Sequence, residues 1–342
     1  KAFKLLKIIS STKVRSSSEA AEPSFDYLCT LFVIMLVFQT LETMKQRIIK
    51  LLCLTAFAML AFACSKQQGH SSQTQNSITI RDYYGRDVTI APNPRRIVSL
   101  SPGITELLFD LGEQQRLVGR TDFCLYPAEA KSIPSVGGIS DASLELICSL
   151  QPGLVITASM VSKQMIEAME KSGLKVICLP EQKKAADVYS TLSVLGEIVG
   201  KKDIADSLIA DCKAKLEQIT TNIPQGKKPL VYYVAGFGAG GDFTAGGNTF
   251  INDIIELSGG ENLAKQIDGW SIGKEEIFFR QPEYIVIRKE DAETFKHTAP
   301  YDKLSAVQED RVLAIESTLT DCQTLRFVQA VRLISQFIHK SE

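Results

Sequence analysis

Two stretches of this chain echo each other. Glu145-Leu-Ile-Cys-Ser-Leu-Gln-Pro152-Gly-Leu-Val-Ile156 reappears as Glu275-Glu-Ile-Phe-Phe-Arg-Gln-Pro282-Glu-Tyr-Ile-Val286-Ile, and both the Glu and the Pro are offset by 130 residues. In each copy a Glu opens a short helix, a Gln-Pro pair breaks it, and an apolar strand follows. A duplicated helix-strand unit constrains the chain to two similar lobes related by a pseudo-twofold axis. Elsewhere short apolar runs alternate with helical patterns: Arg96 to Leu100, a helix from Thr105, Leu154 to Thr157, a helix Ser162 to Lys171, and Val176 to Leu179. That alternation predicts βα units and a parallel sheet. An opening hairpin is expected from Ile78 to Ile80 and Val88 to Ile90 around Tyr83-Tyr84-Gly85.

Between the copies, Ile204, Leu208, Cys212, Leu216, Ile219 and Ile223 step by three or four residues, with charged residues outward and Pro224 expected to close the helix. Twenty helical residues reach about 30 Å, the width of a small domain, so one such helix joining two lobes makes a stiff strut. The fold class expected is α/β, two lobes with parallel sheets joined by one long rigid helix. The expected division is 78–200 for the first lobe, 201–224 for the strut and 225–342 for the second lobe. In the second lobe, strands are expected at Leu230 to Ala235, Tyr284 to Arg288 and Val312 to Ile315. Helices are expected at Asn248 to Leu257 and from about Leu325.

Ahead of the lobes, a basic stretch from Met44 (Lys45, Arg47, Lys50), an apolar run Leu51 to Phe62 and Ala61 and Ala63 before Cys64 make a secretory signal. The run is shorter than the roughly 20 apolar residues a membrane span needs. Leu60-Ala-Phe-Ala-Cys64 resembles a bacterial lipobox, which implies lipidation of Cys64 and removal of 44–63. Met44 is expected as the true start, with 1–43 outside the mature protein. Residues 64–77, rich in Ser and Gln, read as a tether with a reach of about 20 Å.

Lys and Arg number 38 against 39 acids without a like-charge block, so nothing marks a nucleic-acid partner. Past Cys64 there remain Cys124, Cys148, Cys178, Cys212 and Cys322, with no CxxC spacing for a zinc site. Cys148, Cys178 and Cys212 fit a core; Cys124 and Cys322 fall in loops, which leaves a pairing across the molecule open. Only three histidines are present, too few for a bare-ion receptor. Gly236-Phe-Gly238-Ala-Gly-Gly241 satisfies GxGxxG, so a nucleotide-dependent enzyme is the alternative of another class. However, Asp242 to Asn248 intervene before the next helix, which removes the amide cradle that motif needs. The glycines are read instead as a flexible cleft loop.

Arg96-Ile-Val-Ser-Leu-Ser-Pro102 with Thr105-Glu106, Thr121-Asp-Phe-Cys-Leu-Tyr-Pro127, Val136-Gly-Gly138, Leu150-Gln-Pro-Gly-Leu-Val-Ile156, and Phe243-Thr-Ala-Gly246 with Gly259-Gly-Glu-Asn262 recur in order over roughly 95 to 342. In these residues the chain resembles the helical-backbone class of periplasmic binding proteins, whose members bind cobalamin, iron siderophores or haem. The resemblance implies two Rossmann-like lobes joined by one helix, a monomer, and ligand held between the lobes. It also implies delivery to an ABC permease dimer with its ATPase subunits from the periplasm or cell surface, without catalysis. Glu145 and Glu275 match the family's two surface glutamates that dock the permease. The Phe-Cys-Leu-Tyr-Pro loop and the Gly-Gly after Val136 look most like cobalamin-binding members, with a ferric siderophore or haem as alternatives; Tyr126, Tyr232 or His297 would have to supply a haem ligand.

Ligands of parallel α/β lobes sit beyond the carboxyl ends of strands. That selects the loops 101–104, 121–127, 137–140, 237–243, 268–272 and 318–322, and within them Ser101, Phe123, Tyr126, Phe243 and Trp270 as ligand contacts.

Overall fold

The computed structural model describes residues 77–340 and helical positions 36, 37, 39, 41, 44 and 45. The chain divides into two units, Lys1–Gln73 and Thr74–Glu342, and both lobes belong to the second. Cys64, all of the signal segment past residue 45 and most of the tether lie outside the described residues.

The first lobe opens with the expected antiparallel hairpin of β1 (Ile78–Arg81) and β2 (Asp87–Ile90), Ile78 facing Ile90. Asp82 shapes its turn by accepting the backbone N–H groups of Tyr84 and Arg86, each at 3.0 Å. A parallel sheet follows, built from β3 (Ile97–Ser99), β4 (Leu117–Arg120), β5 (Leu154–Thr157) and β6 (Val176–Cys178). Residues of β3, β5 and β6 are buried throughout, as strands covered on both faces must be. The covering helices are α1 (Pro102–Asp110), α2 (Leu144–Ser149), α3 (Lys163–Lys171) and α4 (Ala185–Val199).

Next comes α5 (Lys202–Thr221), the strut, unbroken over 20 residues. It packs against α4 on one side and the terminal helix on the other. It stops at Thr221, before the expected Pro224. The Asn222 amide donates to the Gln218 carbonyl (2.6 Å), and Ile223, preceding a proline, is disfavoured in helix.

The second lobe runs β7 (Leu230–Val234), β8 (Asp242–Phe243), α6 (Phe250–Leu257), β9 (Glu261–Asn262), β10 (Ser271–Ile272), α7 (Lys274–Arg280), β11 (Tyr284–Arg288), α8 (Ala292–Lys296), α9 (Ser305–Gln308), β12 (Val312–Ile315), α10 (Thr318–Asp321) and α11 (Phe327–Ile338). Its parallel sheet has the order β9-β7-β11-β12, and that of the first lobe β4-β3-β5-β6. In both, the second strand in chain order flanks the first on one side while the third and fourth lie on the other. The duplication therefore extends from a dozen residues to the topology of two sheets.

The lobes meet in a tight joint. Asp253 of α6 accepts the N–H of Ala185 at the start of α4 (2.8 Å), filling a free donor of that helix end. Arg326, at the start of α11, places its fork on Glu106 of α1, with N–O distances of 2.7 and 2.6 Å. The Glu106 side chain is 2% exposed and that of Arg326 13%. The guanidinium also lies 3.6 Å from the centre of the Tyr126 ring. Near the elbow of α4 and α5, a Cβ on Gly196 would come within 2.7 Å of the Ala205 methyl, so only glycine allows that approach.

Arg326→Met leaves Glu106 buried without its cation and is expected to lower unfolding stability by about 3–5 kcal/mol in urea titrations. Adding Glu106→Gln to that variant should cost much less than it does alone, since the two share one interaction. Gly196→Val, which overpacks the elbow, should cost about 1–3 kcal/mol and lower Tm by several degrees in a thermal melt.

Candidate functional site

A cavity of about 960 Å³ lies between the lobes, beyond the carboxyl ends of the parallel strands. This is at the upper end of the usual range for small-molecule sites, about 300–1,000 Å³. In a sheet where the third strand joins the first on the side away from the second, the crevice opens between the first and third strands. Pro102 after β3, Met160 after β5 and Arg288 and Glu290 at the end of β11 line the cavity there.

One wall is the 121–127 loop. Cys124 is fully buried, its Sγ 3.2 Å from the Thr105 hydroxyl and 3.4 Å from that of Thr121. Anchored there, the loop turns the flanking Phe123 and Leu125 outward, 57% and 51% exposed, into the cavity. On the other lobe Trp270, 48% exposed, faces the same space; its carbonyl accepts the Thr244 N–H at 2.8 Å, which ties the β10 segment to β8. Two aromatic side chains from different lobes thus meet across one cleft.

The floor is polar. Arg288 pairs with Asp321 at 3.1 Å. The Tyr233 hydroxyl lies 2.9 Å from that of Thr320 and donates to Asp321 at 3.5 Å. Burial raises the Asp321 carboxyl above its ordinary value, with Arg288 opposing the shift. Cys322, also lining, is pushed up to about 12 by burial and then by the Glu106 charge, so it stays a neutral thiol. Cys124 and Cys322 are both free, and the pairing left open by sequence is not formed. The ionisable side chains of the lining are Asp141, Glu181, Glu290 and Asp321 against Lys183 and Arg288, an excess of two negative charges.

Of the five side chains picked out in the sequence, Phe123 and Trp270 line the cavity. Ser101, Tyr126 and Phe243 do not line this cavity. Ser101 caps α1, its hydroxyl accepting the Ile104 N–H at 3.5 Å. Tyr126 is held against Arg326 at the joint. The 237–243 loop, expected to be a cleft loop, folds away. Phe243 pairs with Ser271 and its ring lies over Gly236, where a Cβ would be 3.2 Å from it, while the Gly238 N–H donates to Tyr301. Lining residues that the sequence did not disclose include Met160, Glu181 to Lys183, Asn248 to Ile251 and the Arg288–Glu290 end of β11. All but the Asn248 group follow parallel strands, so the carboxyl-end rule carried the signal.

Glu145 and Glu275 do not line the cavity but occupy matched places in the two lobes. Each is the second residue of its helix, α2 or α7, and is exposed, and the buried residue two positions on is Ile147 or Ile277. Gln151 and Gln281, which follow the two short helices, both adopt left-handed backbone, with φ of 45° and 46°. Among the described residues neither glutamate has a cation within ion-pair distance. The basic residues of α7 turn inward instead, Lys274 towards Asp242 (3.8 Å) and Arg280 onto the Leu263 carbonyl.

Residues 97–319 match the periplasmic binding protein family. An uncharacterized ABC transporter substrate-binding lipoprotein of Bacillus subtilis, YvrC, is 27% identical over 270 residues, 77% of this chain and 85% of its own length. A cobalamin-binding protein of Halobacterium salinarum is 26% identical over 61% of this chain and 58% of its own length. Among solved structures, the periplasmic haem-binding protein RhuT of Roseiflexus superposes with a TM-score of 0.66 at 23% identity, over 72% of this chain and 98% of that one. The periplasmic vitamin B12-binding protein BtuF of Vibrio cholerae gives 0.64 at 20% identity, over 72% and 96%. With the match running through both sheets and the strut between them, this chain belongs to the periplasmic binding protein family.

Proposed function

We propose that the cleft captures a corrinoid and that the protein, tethered to a membrane by lipid on Cys64, hands this cargo to the permease of an ABC-type importer without altering it. The observation that carries the choice of cargo is the lining: two aromatic walls, Phe123 and Trp270, over a floor with excess carboxylate and, among the described residues, no His or Tyr. Haem requires an axial ligand from the protein, and of the usual ligand types the lining offers only the Met160 thioether and the Cys322 thiol, which burial keeps neutral. Tyr126 is occupied at the joint, Tyr232 is buried in the second lobe's core, and His297 is exposed at the end of α8. A corrin ring already fills the equatorial positions of its cobalt. Its amide periphery donates hydrogen bonds that carboxylates accept, and its flat faces suit aromatic walls. Anionic groups, such as haem propionates or the oxygens of many ferric chelates, would meet net repulsion here. The family match and the cobalamin-binding relative support the reading.

Delivery rests on the repeated acids. A permease built on a twofold axis presents one basic pocket twice, and a monomeric carrier satisfies it with one unpaired acid per lobe at equivalent places. Glu145 and Glu275 have that placement.

Calorimetric titration and absorption spectra with cyanocobalamin, haemin and a ferric siderophore test the cargo: cyanocobalamin should bind tightest, with quenching of the single Trp270. Tighter binding of haemin or the siderophore would overturn the choice. Trp270→Ala and Phe123→Ala should each weaken cyanocobalamin by about 10-fold, the loss of one stacking contact. Cys64→Ala should move the protein from the membrane to the soluble fraction; continued partitioning with membranes would place the anchor elsewhere.

A further inference from the structure

Phe279 is 87% exposed, the most exposed of the large apolar side chains described in either lobe. Its neighbour Phe278 packs against the core of the second lobe, so the helix has an inward position for an aromatic and fills it. Phe279 stands four residues after Glu275 on α7, and residues four apart share a helix face. The other docking helix also carries an exposed apolar residue, Leu146, 48% exposed and adjacent to Glu145. The position equivalent to Phe279, 130 residues earlier, is Ser149. The two helices therefore share an acid at the same place and differ in where the apolar side chain stands.

We infer that Phe279 is an apolar anchor for the permease, seated in a hydrophobic pocket beside the basic group that receives Glu275, and that Leu146 makes the lesser counterpart contact beside Glu145. This rests on the docking reading above. An exposed acid steers encounter and sets register, but its attraction is screened by salt and contributes little holding energy. Holding energy at interfaces comes from a few desolvated apolar or aromatic side chains, ringed by groups that exclude water. On α7 Lys274 turns to Asp242 and Arg280 to the Leu263 carbonyl and, at 3.9 Å, to Glu276, which leaves Glu275 as the exposed acid without a cation and Phe279 as the exposed apolar side chain. An acidic and aromatic surface of this kind fits a basic and apolar partner. Because the second lobe has the aromatic and the first a leucine, the two contacts are unequal in strength on a partner whose two halves are alike.

The test is surface plasmon resonance of the whole protein on its own importer, permease with ATPase subunits, in lipid nanodiscs. Phe279→Ala is expected to dissociate about 10-fold faster or more, with its association rate within two-fold of the parent. Glu275→Gln is expected to slow association and flatten its salt dependence. Cyanocobalamin titration checks that the cleft of each variant is intact, and Phe279→Leu should recover part of the lost residence time. An unchanged dissociation rate for Phe279→Ala, while Glu145→Lys with Glu275→Lys abolishes docking, overturns the anchor and leaves the docking reading standing. Normal docking by that double reversal overturns the docking reading and the anchor with it.

Discussion

A guanidinium held between two lobes has to find its charge partner within the protein, because water is no longer there to solvate it. Arg326 finds Glu106, and the pair is bidentate and nearly closed to solvent. The cost of desolvating both ions is offset only while the geometry holds, so each lobe is fixed against the other by an interaction that tolerates little displacement. The consequences spread into both walls of the cleft. Arg326 packs on Tyr126, three residues from Phe123, and lies 3.4 Å from the Thr318 hydroxyl at the start of the segment that carries Thr320, Asp321 and Cys322. The same ion pair places a loop of the first lobe and a helix of the second. Its carboxylate also acts on Asp110, one turn along α1, which is pushed up to about 6 by desolvation and then by the nearby Glu106 charge.

The duplication supplies the rest of the geometry. Each lobe repeats a four-stranded parallel sheet in one order, and the carboxyl ends of β3 and β5 in the first lobe and of β11 in the second open on the common crevice. The matched Gln151 and Gln281 show how far the likeness goes. Both helices end in a left-handed residue that costs energy without glycine, followed by a proline that prevents continuation, and a buried strand begins two residues later. A turn this particular, kept twice, fixes the direction in which α2 and α7 present their acids.

Much of this was legible in the chain. Tyr284–Arg288 and Val312–Ile315 are strands at the boundaries their apolar runs mark, and the strut follows its periodicity from Leu208 until Asn222 and the approach of Pro224 end it early, though in its first turn Ala205 is buried and Ile204 is exposed. What failed to show was whatever depends on a partner far away in sequence. Tyr126 reads as a free aromatic in a cleft loop because the arginine that takes it is 200 residues on. Phe243 reads the same way because its neighbour is a glycine and its strand pairs with β10 beyond an intervening helix. Glu181, Lys183 and Asn248 form no pattern at all. They are ordinary polar residues, and only their position after β6 or at the start of α6 makes them part of the lining. Cys124 shows the opposite case, a loop residue between Phe123 and Leu125 that is the buried post on which those two neighbours are turned outward.

A joint this tight limits how an importer can tell a loaded carrier from an empty one. A partner can favour one state only by interacting with it differently, and large closure of one lobe on the other is opposed by the strut, the Asp253 cap on α4 and the buried ion pair. Under the proposed docking, the separation of α2 and α7 is then nearly the same with and without cargo, and the empty protein competes for the permease. Discrimination has to come from the cleft mouth, where Phe123, Leu125, Met160 and Trp270 are exposed and would change their surroundings most when a flat ligand enters. Release has to be driven by the permease against a joint closed by the strut, the Asp253 cap and the buried ion pair. A partner gripping each lobe by its own helix is placed to apply that work, and one gripping a single lobe is not.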